Sequence, residues 1–151
     1  PLVSGKHQHS AMEDVRISYN ENWQNLHWHS FTSAYRRSPF FEFYEDHFRK
    51  FYEEKTDLLV EYNFQFMQTI ASVLKTELSV SFSDKYFTKD EFSGTDYRSH
   101  VMPGKDNTLD FTAYPQVFSD RFPFEKDLSI LDLLFNTGTR AKEYIEQMQL
   151  K

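Results

Sequence analysis

Apolar residues recur every three or four positions through three stretches in the first half of the chain. That spacing places them on one face of a helix and predicts helices over residues 23–35, 39–54 and 58–75. In the second stretch nearly all the apolar positions are Phe or Tyr, and the other positions are mostly charged. The short connections favour antiparallel packing of consecutive helices.

Two further helices are predicted near the C-terminus. Residues 128–136 are almost entirely apolar, which indicates a helix that is buried on nearly every side. Asp127 is expected to cap that helix, and Gly138 is expected to end it. Thr139 is then placed to cap a last, amphipathic helix.

Alternation of apolar and polar residues predicts a few short strands. It occurs at residues 15–19, again at 78–82, and less clearly at 109–114. The expected fold class is therefore α+β. We expect a single, predominantly helical domain over residues 1–151, with four or five helices and a few short strands.

Polar motifs support two of the helix starts. Asn20 or Asn22 is placed to cap the first predicted helix. Ser38 followed by Pro39, with Glu42 shortly after, has the pattern of a capping box with proline in the first turn. The second helix is therefore expected to begin at residue 39.

The first predicted helix carries two apolar stripes. Trp23 and Leu26 lie on one stripe, whereas Trp28, Phe31 and Tyr35 lie on another further round the helix. A helix that is apolar on two sides is usually packed by neighbours on both. This helix is therefore expected to be central to the domain.

Composition limits the classes of function. Aromatic residues make up 18% of the 151, so large rings are expected to fill the core. The net charge of −6 argues against general affinity for nucleic acid or for an anionic membrane. No apolar run approaches the ~20 residues that span a bilayer. The lack of cysteine excludes disulfides and a cysteine nucleophile, and it favours a reducing cytoplasm.

Asp132 is the most unusual polar residue, because it lies inside the apolar 128–136 stretch. A buried carboxylate without a partner costs several kcal/mol, so Asp132 has to be paired or to reach the surface. Asn136 lies four residues later and shares its helix face. This polar stripe either meets solvent or faces a pocket, and the residues alone leave both interpretations open.

His27 and the polar segment 84–107 hold further candidates. Histidine titrates near neutral pH and suits a general base, although a histidine beside an aromatic stripe is more often a core residue. Asp96 and Arg98 are spaced so that carboxylate and guanidinium meet, and arginine binds phosphate with two hydrogen bonds. Surface pairs of this kind usually have no function. Long connections without regular structure are commonly either functional or disordered.

Familiar catalytic motifs are missing from the sequence. There is no GxSxG, GxGxxG, P-loop or HExxH pattern. His7 and His9 alternate as metal ligands on a strand do, but no second cluster supplies ligands, so no metal site is predicted. The many aromatic residues suggest sugar binding, yet most have helix-core spacing. The residues alone do not establish a function.

Two segments of the chain resemble the WbqC-like protein family. The first, residues 14–45, reads DVRISYNENWQNLHWHSFTSAYRRSPFFEFYE, and the second, residues 114–138, reads YPQVFSDRFPFEKDLSILDLLFNTG. Residues 96–105, DYRSHVMPGK, are similar to a piece of the family's middle. The resemblance runs in order over residues 13–138. It implies that family members usually carry a further segment before the position of Pro1. Where the family often has a basic residue after His-Trp, this chain has His29.

The resemblance implies a role in bacterial surface-polysaccharide biosynthesis, that is, of O-antigen or capsule. Members of the family are associated with such gene clusters. The implied reaction is acyl or aminoacyl transfer, in the cytoplasm, to the amino group of a nucleotide-linked sugar. The resemblance names no cofactor. The alternative is a non-catalytic interaction module of a polysaccharide-assembly complex, which predicts an exposed aromatic patch that binds a protein partner.

Polar residues within the family-like segments are the candidates for a site. His27 or Asp132 is expected to accept the amine proton as the catalytic base. The candidates for substrate binding are Asp96, Arg98, Tyr114 and Asn136. Arg98 would bind a phosphate or carboxylate, and Asp96 would orient Arg98. If the 84–107 segment covers a cleft between the two bases, the transferase is favoured, and if it lies far from them, the interaction module is favoured.

Overall fold

Five helices form the domain in the computed structural model, which describes residues 1–3, 11–98 and 109–150. The helices are α1 Trp23–Tyr35, α2 Phe41–Glu53, α3 Leu59–Val73, α4 Ile130–Thr137 and α5 Ala141–Gln147. There are two short 3-10 turns among the described residues. Met12–Asp14 precedes α1, and Gly138–Arg140 joins α4 to α5. Within the described ranges, all five predicted helices are therefore found, and most of them differ slightly from the predictions at their ends.

The α+β expectation is wrong, and the fold is all-α. Regular strand structure in the described residues is limited to a two-residue antiparallel pair, β1 Leu109–Asp110 with β2 Gln149–Leu150. The N-terminal alternation yields only isolated bridges, Leu2 to Ile17 and Arg16 to Leu58.

The strand predicted at residues 78–82 is also wrong, although its apolar residues alternate as a strand requires. The residues have no regular structure, and Leu78, Val80 and Phe82 are exposed. A strand is stable only when a neighbouring strand pairs with its backbone and a core covers one of its faces. Neither is described here, so the pattern forms no strand.

The core is built from aromatic rings, as the composition predicts. Phe41, Phe48, Leu134 and Phe135 are essentially inaccessible to solvent. The Phe135 ring contacts rings of α1 and α2 at centroid distances of 5.2–5.9 Å, with the partners Phe31, Tyr35, Phe41 and Phe48. Phe135 of α4 therefore joins the second half of the chain to the first.

Helix α1 buries one of its two apolar stripes and only the start of the other. The stripe of Trp28, Phe31 and Tyr35 packs on the core. Trp23 is buried and its Nε1 donates to the Ser18 carbonyl at 2.9 Å, but Leu26 is 67% exposed. The expectation that neighbours cover both flanks therefore holds at the N-terminal turn alone.

The capping box predicted at Ser38 does not form. Helix α2 begins at Phe41, and the buried Ser38 Oγ has no hydrogen-bond partner among the described residues. Instead the Phe40 N–H donates to the Phe135 carbonyl at 3.0 Å. This tertiary bond ties the start of α2 to α4 and prevails over the local motif.

Of the other predicted helix caps, some are found in the structure and others are not. Asn22 is the N-cap residue of α1, but its side chain accepts from Asn25 rather than from the backbone. Ser129, not Asp127, caps α4, since its Oγ accepts from the Leu131 N–H at 3.3 Å. Gly138 ends α4 as predicted, with a positive φ of 61°. Thr139 lies inside the 3-10 turn and does not cap α5.

Candidate functional site

Asp132 lies in the first turn of α4 and is 4% exposed. Its helix is apolar on the other faces because Leu131, Leu133 and Leu134 enter the core. The sequence pattern required Asp132 either to reach solvent or to be paired. The structure shows the second outcome, a buried and paired carboxylate.

The partners of Asp132 come from the segment just before α4. The Tyr114 hydroxyl donates to Asp132 Oδ2 at 2.7 Å, and Gln116 Nε2 donates to the same oxygen at 3.3 Å. Hydrogen bonds to an ionised acceptor are about twice as strong as neutral ones, so these two contacts offset much of the desolvation of the carboxylate.

Gln116 is held in place by a loop that it closes itself. Its Nε2 also donates to the Glu125 carbonyl at 2.8 Å, and its Oε1 accepts from the Glu125 N–H at 3.0 Å. Ser119 Oγ accepts from the Gln116 N–H at 2.9 Å. The amide therefore joins both ends of the 116–125 loop to Asp132.

Two phenols of the cluster are held in the neutral form. Burial, the charge of Asp132 and a hydrogen bond to it together raise the pKa of Tyr35 to about 12. Burial likewise raises the pKa of Tyr114 well above its usual range, and its hydrogen bond to Asp132 adds to this effect. Both residues are therefore hydrogen-bond donors near neutral pH. We call Tyr35, Tyr114, Gln116 and Asp132 the carboxylate cluster.

Asn136, predicted to bind substrate, turns back on its own helix. It is buried, and its Nδ2 donates to the Asp132 backbone carbonyl at 2.7 Å. Thr137 Oγ1 does the same to the Leu133 carbonyl at 2.6 Å. The amide of Asn136 lies beside the carboxylate cluster but is used within α4, and its role toward a substrate remains a prediction.

His27, the other predicted base, is not brought to the carboxylate cluster. It is exposed on α1 and lies edge-on to the Trp23 ring, 5.3 Å between centroids. Tyr35, the residue of α1 that contacts Asp132, follows eight residues later, which is about 12 Å along a helix axis. His27 therefore lies toward the N-terminal end of α1, whereas Asp132 of α4 meets the C-terminal end of α1 at Tyr35.

Asp96 and Arg98 form the predicted pair. Arg98 donates from Nε to Asp96 Oδ1 at 2.9 Å and from Nη2 to Asp96 Oδ2 at 2.7 Å. These bonds hold the pKa of the Asp96 carboxyl well below its usual range. Arg98 also donates to the Phe87 carbonyl at 2.9 Å and lies over the Tyr86 ring at 5.1 Å. Most of its guanidinium is thus committed to neighbours in its own segment.

The contacts described for Asp96 and Arg98 stay within their own segment. The contacts of Asp96 and Arg98 remain within residues 86–98, and Phe82 just before it packs on Phe64 of α3 at 5.3 Å. None of these contacts reaches α1 or α4. Residues 99–107, the rest of the predicted connection, lie outside the described residues.

Tyr35 and Gln116 are members of the cluster that sequence reasoning missed. Tyr35 was assigned to the core because of its helical spacing with Phe31. A usable signal existed for Gln116, because it lies two residues after Tyr114, and alternate residues of an extended segment point to the same side. Neither side chain carries a charge, so neither was sought as a partner for a buried acid.

Membrane and metal features are both lacking in the part of the chain that the structure describes. None of its helices combines the length and hydropathy needed to cross a bilayer. No three His, Asp or Glu side chains in those residues are grouped so that they could hold a metal ion. His7 and His9 lie outside the described residues.

Comparison with known proteins identifies the family. The sequence profile of the WbqC-like protein family matches residues 1–93 and 78–144, which together cover nearly the whole chain and contain every residue of the carboxylate cluster. Curated proteins and solved structures give no match to the chain. The family match and the resemblance of the two sequence segments agree, and the chain belongs to the WbqC-like protein family.

Proposed function

We propose that this protein is a transferase that modifies the amino group of a nucleotide-linked sugar in bacterial surface-polysaccharide biosynthesis. The family membership supports this proposal, and so does the chemistry of the carboxylate cluster. The single observation that carries it is a buried Asp132 carboxylate that accepts hydrogen bonds from Tyr114 and Gln116. The proposed location of the reaction is the cytoplasm, where nucleotide-linked sugars are made.

An amine is the substrate group that best complements this site. The cluster presents one carboxylate and neutral donors, with no cationic side chain among the contacts described for Asp132. A substrate ammonium would supply the missing positive charge. The contact from Gln116, at 3.3 Å, is longer than the contact from Tyr114, at 2.7 Å. Gln116 is therefore the partner that an incoming amine would most readily displace.

The proposed step is the transfer of an acyl or aminoacyl group from an activated ester or thioester. The deprotonated sugar amine attacks the acyl carbon and forms a C–N bond, while the bond from that carbon to the alcohol or thiol breaks. Asp132 accepts the proton that the amine releases, and the leaving group takes up a proton in turn. Tyr114 keeps the carboxylate in position throughout, because its raised pKa leaves the hydroxyl protonated.

Binding of matched nucleotide sugars tests the amine site. Titration calorimetry would compare UDP-glucosamine with UDP-N-acetylglucosamine and UDP-glucose, which differ at the amino group. We expect tighter binding of UDP-glucosamine to the wild type and loss of that preference in Asp132→Asn. Asp120→Asn is the matched control, since Asp120 is an exposed acid on the neighbouring loop. Equal binding of the three sugars by the wild type, or a preference that survives Asp132→Asn, would contradict the proposal.

Transfer itself is tested by mass spectrometry. The wild type would be incubated with UDP-glucosamine and a panel of acyl-CoA thioesters, and the sugar would be examined for the mass of an added acyl group. Asp132→Asn should lose at least tenfold in rate while its melting temperature stays measurable, because the positioned base is removed. Retention of the full rate in Asp132→Asn would remove Asp132 from the reaction.

A second function, the non-catalytic interaction module, is favoured by a separate observation. Six of the fifteen exposed large apolar side chains of the described residues lie in one segment, namely Leu78, Val80, Phe82, Tyr86, Phe92 and Tyr97. Complementation of polysaccharide production in a strain lacking this protein would distinguish the functions. The transferase predicts that Asp132→Asn fails and that Phe92→Asp restores production, whereas the module predicts the reverse.

A further inference from the structure

A polar cleft between α2 and α3 lies apart from the carboxylate cluster. It has a volume of about 360 Å³ and is lined by His47, Lys50, Gln65, Gln68, Thr69 and Ser72. None of these six residues contributes a hydrogen bond to Asp132 or its partners. The volume falls within the range of roughly 300–1,000 Å³ that small-molecule sites occupy.

The lining residues of each helix all lie on one side of that helix. His47 and Lys50 are three residues apart on α2, so they project from the same side. The four residues of α3 follow the spacing i, i+3, i+4 and i+7, which also defines one side of a helix. An apolar core pattern occupies other faces of both helices, so these two polar faces meet each other at the cleft.

The walls of the cleft are held by rings beneath it. Phe48 and Phe51 of α2 contact Phe66 of α3, at centroid distances of 5.5 and 4.8 Å. Thr69 is buried at the floor of the cleft, where its hydroxyl donates to the Gln65 carbonyl at 2.9 Å. The two helices that form the walls are therefore held together by the core, while the five lining side chains other than Thr69 are exposed to solvent.

The lining has a definite chemical character. It offers one ammonium group, one imidazole, two carboxamides and two hydroxyls, and none of the six is a carboxylate. The chain as a whole has a net charge of −6, so an acid-free cleft with a lysine is a local exception. Lysine binds phosphate as a point charge, and carboxamides donate to and accept from hydroxyl groups.

We propose that this cleft binds a sugar phosphate. Lys50 holds the phosphate, and Gln65 and Gln68 bind the sugar hydroxyls. A divalent cation is a poor fit because the lining provides no carboxylate. A purely apolar ligand is a poor fit because its surface would cover the two amides and the lysine. The inference does not rest on the transferase proposal, since it uses different residues and a different ligand group.

Titration of the wild type with three probes tests this site. Glucose 1-phosphate, glucose and inorganic phosphate would be added separately at fixed ionic strength, with binding followed by calorimetry. We expect saturable binding of glucose 1-phosphate, at least tenfold tighter than that of either fragment alone. Binding of inorganic phosphate as tight as that of glucose 1-phosphate would overturn the sugar part, and no binding of glucose 1-phosphate would overturn the whole proposal.

Variants locate the binding. Lys50→Gln and Gln68→Ala should each raise the Kd for glucose 1-phosphate at least tenfold, with thermal melting used to show that both variants fold. Lys142→Gln is the matched control, because Lys142 is a partly exposed lysine of α5, and its Kd should equal that of the wild type. Asp132→Asn should also leave the Kd unchanged. A Kd that Lys50→Gln leaves unchanged, or that Asp132→Asn raises tenfold, would show that the ligand binds elsewhere.

Discussion

The Tyr114 hydroxyl lies 2.7 Å from Asp132 Oδ2 and donates a hydrogen bond to it. This bond connects an irregular segment to a buried helix, α4, that follows 16 residues later. Tyr114 is further fixed by ring contacts with Phe124 and Tyr144 at centroid distances of 5.3 and 5.8 Å. A single phenol therefore links the carboxylate cluster to the 116–125 loop and to α5.

Removal of the Tyr114 hydroxyl should lower the stability of the fold. Tyr114→Phe keeps the ring but deprives the buried carboxylate of its closest donor. Because hydrogen bonds to charged groups contribute about 1.5–3 kcal/mol, we expect a loss of that order in the free energy of unfolding, measured by urea denaturation. Tyr86→Phe is the control, since Tyr86 is 78% exposed and should change stability by less than about 0.5 kcal/mol. Equal effects of the two substitutions would contradict this account of the cluster.

Stability should fall at alkaline pH because of Tyr35. Its pKa is raised to about 12 in the folded protein, chiefly by burial and then by the neighbouring Asp132, whereas an unfolded tyrosine titrates near 10. A raised pKa means that the folded state keeps a proton that the unfolded state loses. The contribution of Tyr35 to the free energy of unfolding is therefore fully present below pH ~10 and is lost as the pH rises toward ~12.

Urea midpoints measured from pH 8 to pH 12 would check this dependence. The wild type should lose stability more steeply above pH 10 than Tyr35→Phe. Asp132→Asn should also lose stability less steeply than the wild type, since it removes the charge that helps to raise the pKa of Tyr35 and Tyr114. If the three profiles run parallel, Tyr35 does not couple folding to pH.

Helical periodicity predicted the five helices because each has one face that the core covers. The predicted start of the first helix at Trp23 is confirmed, and Gly138 ends α4 as expected. The end of a helix without a glycine was harder to predict. At Ser38 a bond from the Phe40 N–H to the Phe135 carbonyl, almost a hundred residues away in sequence, decides where α2 begins.

The errors share one physical cause, which is that strands and sites depend on partners that lie far away in sequence. Residues 78–82 alternate like a strand, but no neighbouring strand is described for them. Asp132 was recognised from its apolar surroundings alone. Tyr35 could not be assigned to it, because a contact between residues 97 positions apart leaves no local pattern.

Gly138 should tolerate no side chain. Its φ of 61° with ψ of −131° is favourable only for glycine, and an added Cβ would approach the Phe40 ring to 2.6 Å. We expect the backbone strain in Gly138→Ala to lower the free energy of unfolding by about 1–3 kcal/mol. The close contact with the Phe40 ring should lower it further.

Gly94→Ala is the matched control for Gly138→Ala. Its Cβ would come no closer than 3.0 Å to the ring of Phe92, which is itself exposed and free to shift. This substitution should leave stability unchanged or raise it by up to about 1 kcal/mol, because alanine lowers the entropy of the unfolded chain. Thermal melting of both variants would check the contrast, and a Gly138→Ala protein as stable as the wild type would refute it.

Truncation of Phe135 should have the largest effect on stability. Its ring is fully buried and contacts four other rings, which belong to α1 and α2. Phe135→Ala removes those contacts and leaves a cavity, so we expect a loss of about 3–5 kcal/mol in urea denaturation. Phe122→Ala is the control, since Phe122 is 65% exposed and its loss should cost less than about 0.5 kcal/mol. A cost below about 1 kcal/mol for Phe135→Ala would mean that α4 is not the element that joins the two halves of the chain.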